Sequence, residues 1–278
     1  MPWDRRHITD IRSFSRRDFE YIFGLSDTLL PFSGIDKPIR RPLFIAQSRI
    51  MTLWFEPEYE KSTRTFGSFQ GAMMRLGGSW KEFNEHESSM GKGESIEDTA
   101  RMVSQHSDII IDRHRDADHI NKVVKYSSVP VINGGNGSYQ HPTQTIVDLY
   151  TIRKKRGKID NARIAVVGDL KNGRTVHSLC RALDTFDNVS VTGLYIHGCE
   201  LPEMFIPKKY QACEIDAEQL DKELAQVGPD VVYVTRPQLE RGTQAQEYVI
   251  NERTLKMLPS YTIIMHPLPR DSRRKPEI

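Results

Sequence analysis

The segment Ser62-Thr63-Arg64-Thr65 puts three hydroxyls and a guanidinium on four consecutive residues. It follows an apolar run and opens a stretch in which Phe66, Phe69, Ala72, Met73 and Leu76 are spaced for one buried helical face. Free backbone N–H groups would converge with those side chains at a helix N-terminus, where the macrodipole also favours an anion. This is a phosphate cradle without a Walker lysine. Ordinary hydroxyl capping beside a surface arginine is the plain alternative for this segment alone.

Four more polar segments have the same setting. Gln140-His141-Pro142-Thr143-Gln144 follows the turn-rich Asn133-Gly134-Gly135-Asn136-Gly137 and precedes a helical pattern, so an imidazole and an amide stand where backbone can approach a ligand closely. A single histidine satisfied in a loop would look the same. Gly168-Asp169-Leu170-Lys171-Asn172-Gly173-Arg174 lies in the βα-turn position, where ligands of α/β sheets gather, yet it is not GxGxxG and so disfavours a Rossmann oxidoreductase. Thr235-Arg236-Pro237-Gln238 and His266-Pro267-Leu268-Pro269-Arg270 also come directly after strand candidates. Arginine forks pair bidentately with carboxylates, although any one of them could be a surface ion pair. Polar signals that all fall at strand ends are hard to explain as solvated loops.

The elements that must carry these groups alternate between short β-rich runs and longer helical patterns, the mark of parallel sheets flanked by helices. Strands are expected at 50–55, 109–112, 129–133, 164–167, 189–195, 231–235 and 263–265. Helices are expected at 16–25, 65–76, 96–105 behind a Ser95 to Asp98 capping signature, 143–156, 175–186 and 217–225. The fold class is therefore α/β in two domains, each a mostly parallel sheet with helices. The polar stretch Arg153 to Arg163 places the junction near residue 150, giving domains 1–150 and 151–278, with a cleft between the halves as the default active site.

Composition narrows the function further. A chain of 278 residues, 38% hydrophobic and 27% charged, can bury a core and lacks the make-up of disorder. Thirty-nine basic against 37 acidic side chains leave a net charge of only +2, which argues against nucleic acid as the partner. Three cysteines, Cys180, Cys199 and Cys213, form no close pair with metal-ligand spacing and are odd in number; neither a zinc site nor a disulfide framework is indicated, and a reducing, cytoplasmic location fits. The start has no apolar run behind its charges, and no stretch of about 18 apolar residues suggests a membrane span.

Taken in order, STRT with SFQGAMMRLGG, then SSMGKGES, DRH, GNGSYQHPTQTIVDLYTI, VVGDLKNGRTVHSL, VTRPQLER and MHPLPR, the sequence resembles the catalytic chains of aspartate carbamoyltransferases over almost its whole length. The related ornithine enzymes carry a cysteine in the loops matching HPTQ and HPLP, where this chain has Thr143 and Pro267. The resemblance implies a carbamoyl-phosphate domain followed by an aspartate domain, no cofactor and no catalytic metal. It also implies a homotrimer with shared active sites, which separate regulatory chains could join. Ser62, Thr63, Arg64 and Thr65 would hold the phosphate with Arg113, and Thr65, Arg113 and His141 would surround the carbonyl oxygen. Gln144 and the carbonyls near Pro267 and Leu268 would take the carbamoyl amide. Arg174, Arg236 and Gln238 would grip the aspartate carboxylates, with Ser88 and Lys92 arriving on a loop of the neighbouring chain.

Two departures from the pattern stand out. Glu58-Tyr59-Glu60-Lys61 is inserted between Phe55-Glu56-Pro57 and Ser62, and an outward bulge is expected there. The sequence also ends at Ile278, soon after HPLPR, where the family continues into a helix that packs back on the first domain. Alternatives left standing are a carbamoyltransferase for another amino-acid acceptor and a catalytically silent homologue with a structural or regulatory part. Arg64, Lys92, His141, Arg174 and Arg236 together speak against silence, since no structural need calls for all of them.

Overall fold

The computed structural model describes residues 7–33, 43–56, 62–238 and 248–270. The Glu58 to Lys61 insertion, Leu239 to Arg241 of the VTRPQLER motif and the final residues 271–278 lie outside them. The chain divides into two compact units, Met1–Thr143 and Gln144–Ile278. The division falls inside the HPTQ motif, two residues into a helix.

The first unit runs α1 (Arg16–Ser33), β1 (Ile50–Phe55), α2 (Thr63–Arg75), β2 (Ser79–Phe83), α3 (Ile96–Gln105), β3 (Ile109–His114), α4 (His119–Tyr126) and β4 (Val131–Asn136). Its sheet has the order β2-β1-β3-β4, and each ladder is parallel. Strand β1 shows why. Trp54 packs into one core with Ala100, Val103, Ile110, Ile120, Val123 and Val131, while Met51, Leu53 and Phe55 pack into another with Met73 and Ile111. A strand buried on both faces needs helices on both, and the continuous apolar run supplies that.

The second unit runs α5 (Pro142–Arg156), β5 (Arg163–Val167), α6 (Arg174–Leu183), β6 (Ser190–Tyr195), β7 (Tyr210–Glu214), α7 (Leu220–Val227), β8 (Val231–Val234), α8 (Glu252–Met257) and β9 (Ile263–Met265). Its sheet, again parallel throughout, has the order β7-β6-β5-β8-β9. Ala165, Val167, Leu194, Val232 and Val234 meet Leu220 and Leu224 of α7 in one core. None of the described helices is long and apolar enough to cross a membrane.

The elements left out of the sequence reading share a cause. β2 and β7 each form one edge of their sheet, and unlike the other edges, β4 and β9, their residues, SWKEF and YQACE, mix half-buried with exposed positions rather than forming an apolar run. α4 and α8 have only eight and six residues. α1 continues past residue 25, and inside it the Ser26 and Thr28 hydroxyls donate back to the Ile22 and Gly24 carbonyls. β4 starts later than expected and runs through Gly134 and Gly135; the turn comes at Gly137, φ +54°, where any β-carbon would overlap the Arg115 carbonyl.

Candidate active site

In a parallel sheet every strand delivers its next turn to the same edge, so short strands in register collect their following residues there. In the first unit Ser62 to Thr65 follow β1, Ser88 and Lys92 follow β2, Arg113 is the last residue but one of β3 and His141 follows β4. In the second, Arg174 follows β5, Arg236 and Gln238 follow β8, and Pro267 and Leu268 follow β9; these three strands are neighbours. The sheets thus bring the expected residues to two carboxyl edges, one in each unit.

At the first edge, Ser62 caps α2, its Oγ accepting from the Thr65 N–H at 3.3 Å. Thr63 and Arg64 are exposed, while Ser62 and Thr65 are half-buried. The first turn of α2 holds no acid and carries Arg64 instead. Helices α1, α3, α7 and α8 do the reverse, placing Asp18, Glu97 and Asp98, Asp221 and Glu223, or Glu252 in their first turns. An acid there stabilises a helix by roughly 0.3–1 kcal/mol and a cation opposes the dipole by a similar amount. Arg64 is therefore misplaced for helix stability and well placed for an incoming anion.

Arg113 is buried at the end of β3, opposite Phe55, and donates from Nη1 to the Gly134 carbonyl at 2.7 Å. His141 is buried immediately before α5, its Nδ1 at 3.3 Å from the Thr143 hydroxyl. Gln140 beside it has a structural task, accepting from the Ile11 N–H and donating to Asp10. Ser88 donates to the Glu85 carbonyl and accepts from the Met90 N–H, so its hydroxyl shapes the turn Ser89–Lys92; Lys92 itself is exposed.

At the second edge, α6 begins with Arg174 and again has no acid in its first turn. Buried Asp169 joins two of the segments singled out in the sequence: Oδ1 accepts from the Asn172 N–H at 3.0 Å and Oδ2 from the Gln238 N–H at 3.1 Å. Gly168, φ +115°, lets β5 and β8 end this close together, since a β-carbon there would overlap the Thr235 carbonyl. Arg236, half-buried, donates to the Pro237 carbonyl at 3.2 Å. Leu268 takes a left-handed backbone, φ 59°, in the turn after β9, and its N–H donates to His266 Nδ1 at 2.8 Å. Such an outlier is held in place by its surroundings and is commonest at functional loops.

Gln144 is oriented from within its own helix. Its Nε2 donates to Asp148 Oδ1 at 2.9 Å, one turn on, which leaves the amide oxygen for another donor. The Tyr233 hydroxyl donates to Asp148 Oδ2 at 2.8 Å. Burial pushes the Asp148 carboxyl up to about 7, against the pull of these two hydrogen bonds. Sequence reasoning gave neither Asp169 nor Asp148 a role. Asp148 had a usable signal in its i,i+4 spacing from Gln144; the bond from Asp169 to Gln238 spans 69 residues and had none.

Residues 6–154 match the family described as aspartate/ornithine carbamoyltransferase, carbamoyl-P binding domain, and residues 160–277 match its Asp/Orn binding domain. The aspartate carbamoyltransferase catalytic subunit of Thermococcus gammatolerans is 40% identical over 292 residues, covering 100% of this chain and 90% of that protein. The corresponding subunit of Thermoplasma acidophilum is 40% identical over 282 residues, covering 98% of this chain and 89% of that one. Among solved structures, aspartate transcarbamoylase from Trypanosoma cruzi in complex with aspartate and phosphate is similar with a TM-score of 0.84 and 32% identity, covering 96% of this chain and 84% of that chain. The catalytic subunit of M. jannaschii aspartate transcarbamoylase gives a TM-score of 0.77 and 36% identity, covering 96% and 87%.

Proposed function

The chain belongs to the aspartate/ornithine carbamoyltransferase family, and from that membership we propose that it transfers the carbamoyl group of carbamoyl phosphate to the amino group of L-aspartate, giving N-carbamoyl-L-aspartate and phosphate in pyrimidine biosynthesis. The observation that carries this reading is the pair of helices whose first turn holds an arginine and no acid, α2 with Arg64 and α6 with Arg174, each at the carboxyl edge of its sheet. Carbamoyl phosphate brings a phosphate and aspartate brings two carboxylates, and each of these arginines stands where such an anion would arrive.

In the first unit, Ser62, Thr63, Arg64 and Thr65 hold the phosphate through hydroxyls, guanidinium and backbone N–H groups, joined by Arg113. Thr65, Arg113 and His141 donate toward the carbonyl oxygen, where negative charge grows as the amine attacks. In the second unit, Gln144 turns its free amide oxygen to the carbamoyl NH2, and the carbonyls near Pro267 and Leu268 accept from the same group. Arg174, Arg236 and Gln238 bind the aspartate carboxylates. The neutral amine attacks the carbonyl carbon, an oxyanion forms, the C–O bond to phosphate breaks, and the amine proton leaves with the phosphate or to solvent. Positioning two reactants is worth up to about 7–11 kcal/mol in favourable cases. An oxyanion donor adds about 3–4 kcal/mol.

Lys92 and the turn capped by Ser88 serve the site of a neighbouring chain in a homotrimer, and the assembly works in the cytoplasm, where the free thiols of Cys180, Cys199 and Cys213 are at home. A steady-state assay offering aspartate and ornithine separately tests the acceptor: carbamoyl aspartate is the expected product, and turnover of ornithine alone would move the chain to the other branch. Mixing Arg64→Ala with Lys92→Ala chains tests the sharing. Well-mixed hybrids regain activity if sites are shared and stay silent if each chain works alone.

A further inference from the structure

The first unit holds a second group of chemically able side chains, at the ends of β2 and β3 and the start of α4. Glu85 follows β2, His114 ends β3 and His119 opens α4, and one donor atom from each lies within 4.8 Å of the others. His119 Nε2 is 3.6 Å from Glu85 Oε1, and His114 Nε2 is 3.9 Å from Glu85 Oε2. The two imidazoles are stacked with centroids 4.2 Å apart and planes at 15°.

His119 is the informative member. Its side chain is only 2% exposed, its Nδ1 is 2.9 Å from Asp112 Oδ1, and its Nε2, aimed at Glu85, has no hydrogen-bond partner. A buried polar atom without a partner costs about 1–3 kcal/mol unless something fills the gap. The carboxylate behind the far nitrogen fixes the tautomer, leaving the Nε2 lone pair directed into the cluster. This is the second-sphere arrangement that supports metal-ligating histidines.

We propose that Glu85, His119 and His114 form a binding site for a borderline divalent transition ion of the zinc class, with Asp112 as the outer carboxylate that orients His119. Two imidazoles and one carboxylate suit that class better than magnesium or calcium, which take oxygen ligands. Zinc bonds of about 2.0–2.2 Å put tetrahedral ligand atoms about 3.4 Å apart, so atoms now within 4.8 Å of one another must close by up to about an ångström, with half-buried His114 turning out of its stack on His119. His114 Nε2 also lies 3.9 Å from Glu56 Oε2, a carboxylate held by Arg115, and His114 has a hydrogen bond to give up at its other nitrogen. Its Nδ1 accepts from the Asp116 N–H at 2.9 Å, and ligation through Nε2 moves the proton to Nδ1 and passes that N–H to solvent on an exposed turn. Glu85 keeps its bond from the Trp54 indole N–H at 2.6 Å. Because the Ser88 hydroxyl donates to the Glu85 carbonyl, the ion would stiffen the root of the turn that carries Lys92.

The competing occupant is a proton. Burial pulls the His119 pKa down, but Asp112 and then Glu85 push it up, and the net direction is upward. Titration separates the two. The full chain, stripped with EDTA and free of substrates, is titrated with Co²⁺ while visible absorption and thermal midpoint are followed. The expected result is saturation at one ion per chain, the intense d–d bands of a low-coordinate site, a raised midpoint and displacement by Zn²⁺. Glu85→Gln, which still accepts from Trp54, should bind at least about tenfold more weakly, and Asp112→Asn about 10- to 100-fold more weakly. Absence of saturable binding by the parent chain overturns the proposal, as does a midpoint that responds to acid and ignores cobalt. Undiminished binding by a folded Glu85→Gln chain also overturns it, by assigning the ion to other groups. None of these readouts involves carbamoyl transfer, so the two readings stand or fall separately.

Discussion

The two carboxyl edges would offer an anion different kinds of group. In the first unit the cradle is a helix start: Ser62 caps α2, the backbone N–H groups point outward as a consequence of helix geometry, and Arg64 is simply added to the first turn. In the second unit the groups expected to bind carboxylates are side chains from two segments, Arg174 at the start of α6 and Arg236 with Gln238 after β8, and a buried carboxylate, Asp169, ties the turns after β5 and β8 together. A phosphate can be received largely by main chain, which needs no bracing beyond the helix. A diacid received by side chains on loops needs an internal brace.

The contrast is broken most directly at Arg64. Arg64→Ala should lower kcat/KM by about 10²–10³ while leaving the far-UV circular dichroism unchanged, because the side chain is exposed and opposes its own helix dipole. Loss of less than a few fold would mean that the main chain suffices. On the other edge, Asp169→Ala should raise the aspartate KM roughly tenfold to a hundredfold, from the about 1.5–3 kcal/mol carried by hydrogen bonds to a charged group, and leave the carbamoyl phosphate KM almost unmoved. Equal effects on both constants would show that Asp169 supports the whole chain and not one edge.

Asp148 sharpens the contrast through pH. Its folded pKa, raised by burial to about 7, lies above the unfolded value, so the stability it contributes is present in acid and is lost as pH rises toward and through 7. Asp148→Asn removes that loss, and its stability relative to the parent should improve by on the order of 2 kcal/mol between pH 5 and pH 8 in denaturant melts. A constant difference across that range would place the Asp148 titration elsewhere. The smallest effect is expected at the cap. Ser62→Ala should cost about 1 kcal/mol of stability, and Ser62→Gly only a few tenths, read as midpoint shifts.

Much of this architecture was legible in the sequence because central parallel strands are unbroken apolar runs. β1, β5 and β8 are such runs, and the polar segments after them were recognisable as site candidates for that reason. The outer strands β2 and β7 were not, since half of each faces solvent and the alternation is diluted by Lys81, Glu82 and Gln211. The Ser95 cap of α3 was legible because capping is local. The brace at Asp169 and the Glu85, His114 and His119 cluster were hidden because their partners meet only once the strands are ordered, and sequence order does not display the order β2-β1-β3.

Gly168 sets a boundary on redesign. A chain altered to carbamoylate a longer or differently charged amine would have to change what Arg236 and Gln238 present, and half-buried side chains leave room for that. Position 168 leaves none, because even a methyl group would collide with the Thr235 backbone and pry β5 from β8. The acceptor contacts proposed for the loops can therefore be varied by substitution, while the spacing of the strand ends beneath them is fixed.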